Sequence, residues 1–107
     1  MNSIQGSLMH RKGLMHRKGK ISATFSIEGY CYSFKGSISE ELPDFDQEVE
    51  LSYNDDKHLK GRGEILGKID AKAVSITLPN KVVIWGDPPI AVDGDFEISG
   101  TGSWLEF

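Results

Sequence analysis

Apolar and polar residues alternate one for one along most of this chain, and that period decides the class of fold open to it. In residues 20–28, KISATFSIE, the side chains of Ile21, Ala23, Phe25 and Ile27 fall on one face and those of Ser22, Thr24, Ser26 and Glu28 on the other. A repeat of two is the mark of a half-buried strand, whose successive side chains point to opposite faces of a sheet. The pattern recurs in YCYSFKGSI with Tyr30, Tyr32, Phe34 and Ile38, in EVELSYN with Val49, Leu51 and Tyr53, and in AKAVSITLP with Val74, Ile76 and Leu78. No stretch carries a helical period for more than one turn.

Turn residues punctuate these runs. Glu28-Gly29 suits a tight hairpin, Pro79-Asn80 a turn, and residues 86–89, GDPP, end a strand because proline cannot donate to a ladder. Residues 54–61, NDDKHLKG, form the longest polar connection. In RGEILGKI, Gly63, Ile65, Gly67 and Ile69 share a face, which predicts a bend or a close backbone approach. Residues 90–92 read as a short strand, Asp93-Gly94 as another hairpin turn, and the remaining residues as a last strand. Seven or eight strands in sequential hairpins predict an antiparallel meander that buries one face by closing, wholly or partly, into a small barrel. A β-sandwich is the alternative.

At 107 residues the chain is one domain. Its charge is unevenly spread. Residues 1–20 hold five basic residues and no acid, +5, while residues 21–107 hold the other 7 basic and all 16 acidic residues, −9, for a total of −4. The basic start contains LMHRKG twice in succession, residues 8–13 and 14–19. As a strand the even period gives both copies the same faces, but neither face is cleanly apolar. Residues 1–19 are therefore expected to be a flexible arm or an edge strand, with residues 20–107 as the all-β domain. An edge strand would permit a homodimer by strand pairing. The acidic body should repel nucleic acid, so any such attraction would come from the basic arm.

Catalytic chemistry finds little to work with. His10 and His16 lie in the arm and His58 in a polar loop, so no histidine is expected in a strand that would aim it at a nucleophile. Cys31, the single cysteine, reads as a small residue on a polar face, and no intramolecular disulfide can form. No cofactor is implied. Asp44 with Asp46, and Asp93 with Asp95, are calcium candidates, because loops at one end of a β-domain can pool oxygens. Asp and Asn also start turns through their own side-chain bonds, and the pattern of a calcium loop is missing. No apolar run approaches a membrane-spanning length, and the basic start lacks the apolar core of a signal peptide. A soluble, cytoplasmic protein is expected.

The aromatic residues offer the remaining chemistry. Tyr30, Tyr32, Phe34, Trp85 and Trp104 could line a partner- or ligand-binding surface, although aromatics in strands more often form core. Trp85 stands apart. In VVIWG, Val83 and Trp85 share one face and Val82 and Ile84 the other, so both faces of that strand are apolar. A strand apolar on both sides is either covered twice or offers a patch to a partner. The expected function is a non-enzymatic binding module for a protein partner, through an acidic or two-faced apolar strand surface. A barrel holding a small apolar or carbohydrate ligand is the alternative, and an enzyme using loop carboxylates comes after it.

Overall fold

The computed structural model describes residues 2–13, 19–40, 42–90 and 92–106. Eight strands form one closed antiparallel barrel: β1 (Asn2–Arg11), β2 (Gly19–Ile27), β3 (Tyr30–Ile38), β4 (Phe45–Tyr53), β5 (Arg62–Ile69), β6 (Val74–Leu78), β7 (Val82–Gly86) and β8 (Phe96–Glu106). Around the barrel the order is β1-β2-β3-β8-β5-β6-β7-β4. The closed barrel expected from the alternation is present, but its strands do not run simply up and down. β4 leaves β3 to pair with β1, and β8 returns to fill the gap between β3 and β5.

Where consecutive strands from β2 onward do pair, the turn chemistry accounts for it. Glu28 and Gly29 both take positive φ, 50° and 85°, between the paired residues Ile27 and Tyr30. Positive φ at both central residues is the twist-matched geometry of a two-residue hairpin, which Gly adopts without strain. Between β5 and β6, Asp70 Oδ1 accepts the backbone N–H groups of Lys72 and Ala73 at 2.8 and 3.0 Å. Between β6 and β7, a 3-10 turn at Pro79–Lys81 places Asn80 and Lys81 at positive φ, and Asn80 Nδ2 donates to the His58 carbonyl at 3.0 Å.

The inward positions of every strand meet in one core. Leu8, Phe25, Phe34, Leu51, Ile65, Ile76, Ile84 and Ile98, one from each strand, are all buried in it. An eight-stranded barrel is just wide enough for its own side chains to fill. Small and large residues are therefore matched across strands. Gly6 pairs with Phe25, and a Cβ on Gly6 would stand 2.2 Å from Phe25 Cδ1 and 2.4 Å from the Thr24 carbonyl oxygen. Gly102 likewise leaves room for the Phe34 ring, 2.6 Å from where its Cβ would be.

Two expectations need correction. The first repeat copy does not belong to an arm or an edge. β1 is paired along both sides, with β2 from Gly6 to Arg11 and with β4 from Asn2 to His10. Leu8 and His10 point inward and are fully buried, while Met9 and Arg11 point out. β1 is the strand that closes the barrel, so two partners satisfy both of its edges, and a face mixing Ile4, Gly6, Leu8 and His10 is apolar enough to line the inside. Of the second copy, residues 14–18 lie outside the described residues. The other correction concerns residues 90–92, where Ile90 and Val92 belong to no strand and Ile90 is fully exposed. Pro88 and Pro89 carry the chain out of the sheet, and residues 87–95 form one connection across to β8. Asp93-Gly94 is a turn within that connection rather than the tip of a hairpin, with Gly94 at φ 109°.

Candidate functional site

The aromatic residues singled out in the sequence divide between the inside and the outside of the barrel. Tyr32, Phe34 and Trp104 are buried in the core. Phe34 and Trp104 face each other across the β3–β8 pair, with ring centroids 5.3 Å apart in an edge-to-face arrangement that aromatic quadrupoles favour. These three are packing residues. Tyr30 begins β3 beside the Glu28-Gly29 turn, where the barrel ends, and is 58% exposed. Trp85 lies on the outer surface of β7. Because β3 and β7 are four strands apart in either direction around the barrel, Tyr30 and Trp85 sit on opposite walls. The five aromatics do not make a single surface.

Trp85 has surroundings of its own. β7 sends Val82 and Ile84 into the core, so Val83 and Trp85 face outward, Val83 half-buried and Trp85 44% exposed. Trp85 pairs with Glu50 on β4 and with Ser75 on β6. Its indole Nε1–H donates to Ser52 Oγ at 2.9 Å, across to the next outward residue of β4. Both bond and neighbours hold the ring against the sheet with part of it open to solvent. Here an exposed ring is given a partner for its N–H, so its orientation is fixed at the surface.

A groove of about 470 Å³ opens beside the indole, with Gln5, Glu48, Glu50, Lys72 and Asp87 along its sides. Its charged side chains are three carboxylates and one ammonium, a net −2. Ser3 Oγ donates to Glu50 Oε2 at 2.9 Å and orients that carboxylate, and Gln47 Nε2 donates to the Asp87 carbonyl at 3.1 Å. The groove exists because β4 is only partly paired on this side. Its register with β1 runs from Phe45 to Tyr53, yet with β7 it holds only Glu50, Leu51 and Ser52. β7 ends at Gly86, and the chain turns away through Asp87 and Pro88. Gly86 still lies against Glu48 and Val49, and residues 45–47 of β4 have no ladder partner on the β7 side.

The other candidates fall elsewhere. Asp44 Oδ1 accepts the Lys12 backbone N–H at 2.7 Å, and Asp46 pairs with Arg11 at 3.1 Å, so both carboxylates fasten the end of β1. Asp93 and Asp95 are exposed on the connection between β7 and β8. Among the described residues, no three His, Cys, Asp or Glu side chains come together as a metal ion would require. Asp55 and Asp70 are engaged in their own turns, and backbone N–H bonds hold both carboxyls below the ordinary carboxylate range, from Lys57 for Asp55 and from Lys72 and Ala73 for Asp70. Burial, helped by the charges of Asp56 and Glu28, pushes the Tyr53 phenol up.

His10 was expected on an arm and is instead fully buried in β1. Its Nδ1 lies 3.0 Å from the Pro43 carbonyl, which can only accept, so Nδ1 carries the proton. The ring stacks on Phe45 at 5.7 Å. Its Nε2 has no hydrogen-bond partner and faces Gly19, where a Cβ would stand 2.4 Å away. An imidazole closed in by backbone has no path to a substrate.

Sequence reasoning missed Ser52, Glu50 and Lys72 as neighbours of Trp85. The alternation of EVELSYN did place Glu50 and Ser52 on the outer face, but nothing in it revealed that β4 would lie beside β7. Among the described residues no helix is long and apolar enough to cross a membrane. The chain matches no family model, no curated protein and no solved structure.

Proposed function

We propose that this chain is a non-enzymatic binding module that holds a protein partner on the outer wall of its barrel, around Trp85. The observation that carries this is a large aromatic ring that is exposed and yet fixed, its N–H committed to Ser52 and its edge bordered by a groove. Rigid aromatic side chains that are partly desolvated before binding are the residues that dominate protein interfaces, because little side-chain entropy remains to be lost. Val83 extends the apolar surface along the same strand, and Leu66 extends it two strands away, through the row Val83–Thr77–Leu66.

A small carbohydrate is the second reading. The inward positions are occupied by core side chains, so such a ligand would stack on Trp85 from outside, beside the planar polar groups of Gln5, Glu48 and Asp87.

Affinity capture with the immobilised protein tests the first reading. A partner should be retained by the Tyr30→Ala and Leu105→Ala variants, which alter exposed apolar residues on other walls, and lost by Trp85→Ala. Retention by Trp85→Ala with loss at either of the other positions would move the binding surface elsewhere. A Trp85-dependent response to oligosaccharides, with no protein captured, would favour the second reading.

A further inference from the structure

Three features of the Trp85 wall converge on one kind of partner. The first is the strand edge. Residues 45–47 of β4 are paired with β1 but reach past the end of β7, whose Gly86 still lies against Glu48 and Val49, and this leaves their other side without a ladder. Such an edge is a template for an added strand, whose main-chain groups complete the missing hydrogen bonds. The second is charge. Glu48, Glu50 and Asp87 border the groove along that edge, and Lys72 is its single cation. The third is the indole of Trp85, whose face attracts cations and which is fixed where a side chain on an added strand would cross it.

We infer that the groove takes an extended basic peptide segment of the partner, which adds to the open edge of β4 between Phe45 and Gln47 and lays an arginine or lysine on Trp85. This rests on the Trp85 wall being the binding surface. Alternate side chains of an added strand point the same way, so every second residue of the segment meets the outer face and its carboxylates. Glu50 is directly opposite Trp85 in the β4–β7 register, so a guanidinium stacked on the indole has a carboxylate at its rim. Antiparallel pairing of this edge with a second copy would set the exposed Glu48 opposite Asp46, and like charges directly opposite one another oppose such pairing, although Asp46 is also bonded to Arg11.

The test is calorimetric titration of the full chain with an acetylated and amidated pentapeptide, Arg-Val-Arg-Val-Arg. Three peptides control it: the same sequence with Glu in place of Arg, the same sequence with its alternate backbone amides N-methylated, and Lys in place of Arg. Binding of the arginine peptide is expected, with the lysine peptide weaker and the glutamate peptide silent. N-methylation of the amides that face β4 should cost at least about fivefold, because backbone hydrogen bonds are lost. Trp85→Ala should weaken binding about tenfold and Glu50→Gln about threefold, in the range of a desolvated cation–π contact and one charged pair. Lys72→Gln should tighten it about threefold by removing the one opposing charge, where an anionic or sugar ligand would lose affinity or not respond. Affinity should also fall several-fold from 50 to 500 mM salt.

If the arginine peptide fails to bind at millimolar concentration, or binds equally to Trp85→Ala, the inference is overturned. If glutamate and N-methylated peptides bind as well as the basic one and Trp85→Ala abolishes all of them, Trp85 remains the binding surface but the strand-addition and charge assignments fall.

Discussion

Removing one copy of the repeat should leave the barrel standing, for a reason that the strand register supplies. Deleting residues 8–13 or residues 14–19 yields the same polypeptide, because the two copies are identical. In the shortened chain the surviving Leu, Met, His and Arg follow directly after Ser7 and occupy the places that Leu8, Met9, His10 and Arg11 hold in β1. Arg11 pairs with Lys20, so in the full chain eight residues, 12–19, separate these two partners. After deletion of six, two remain, Lys-Gly, which is the length of a tight hairpin loop with glycine at the position most in need of positive φ. Shortening the separation of the two paired residues from eight to two is two halvings of length, which recovers about 1.2 kcal/mol of closure entropy. Placing lysine in the left-handed region costs about 1–2 kcal/mol. These nearly cancel, so stability should change by no more than about 1 kcal/mol, or roughly 4–8 °C in melting midpoint. Thermal and urea unfolding of the two chains in parallel measures it. A loss above about 3 kcal/mol, or a transition that is no longer cooperative, would refute the assignment of the first copy to β1 and show that the second copy supplies contacts the barrel needs.

Further outcomes follow from particular contacts. Gly6→Ala should destabilise by about 1–3 kcal/mol or more, because the added methyl meets the Thr24 carbonyl, a backbone group that cannot swing away, as well as the Phe25 ring; chemical denaturation reads this directly. Phe34→Ala should cost about 3–5 kcal/mol by opening a cavity against Trp104 and Gly102. Asp70 titrates below the ordinary carboxylate value, so its share of stability is complete above that value and is lost as pH falls through its own lower one; Asp70→Asn, which keeps an acceptor oxygen, should flatten the acid side of the stability curve. Tyr53 titrates above its usual 10.0, so the fold keeps its phenol protonated, and stability should decline as pH rises beyond that value, a decline that Tyr53→Phe should reduce.

How much of this was legible in the sequence depends on how local the controlling physics is. The faces of β2, β4 and β6 are as the alternation of Ile21 to Ile27, Val49 to Tyr53 and Val74 to Leu78 predicts, because side-chain direction is a property of one strand. The Glu28-Gly29 hairpin was equally legible, since two residues set its geometry. Pairing beyond adjacent strands was not. Nothing local indicates that β4 should close on β1 or that β8 should enter between β3 and β5, since these are preferences between distant strands decided by the whole core. β1 was hidden for a different reason. Its inward face includes Gly6 and His10, residues that weaken an apolar pattern when read alone. They are right only against Phe25, which needs the space over Gly6, and Pro43, which accepts from His10. The candidate site shows the same division. That Val83 and Trp85 share one face could be read from VVIWG, whereas which face is exposed, the bond to Ser52 and the open edge of β4 depend on where β7 lies and where it ends.

The slip that the repeat invites is closed off by the same glycine. Moving β1 by six residues would set Leu14 and His16 in the places of Leu8 and His10 without changing their chemistry, but it would carry Lys12 into the place of Gly6. The Phe25 ring and Thr24 carbonyl leave no room there for any Cβ. Register is therefore held by a residue outside the repeat, and the even period of the duplication does not loosen it.

Closure of the barrel through β1 underlies the rest: it fills the interior with side chains and leaves the proposed binding surface at Trp85 on the outer wall. Amide hydrogen exchange across residues 6–10 tests it most directly. A strand paired on both sides has all its N–H groups in ladders, so consecutive amides from Gly6 to His10 should be protected to a degree comparable with those of β2 and β4. Fast exchange at every second amide of this segment, or at all of them, would mean that β1 is an edge or an arm and that the barrel is open.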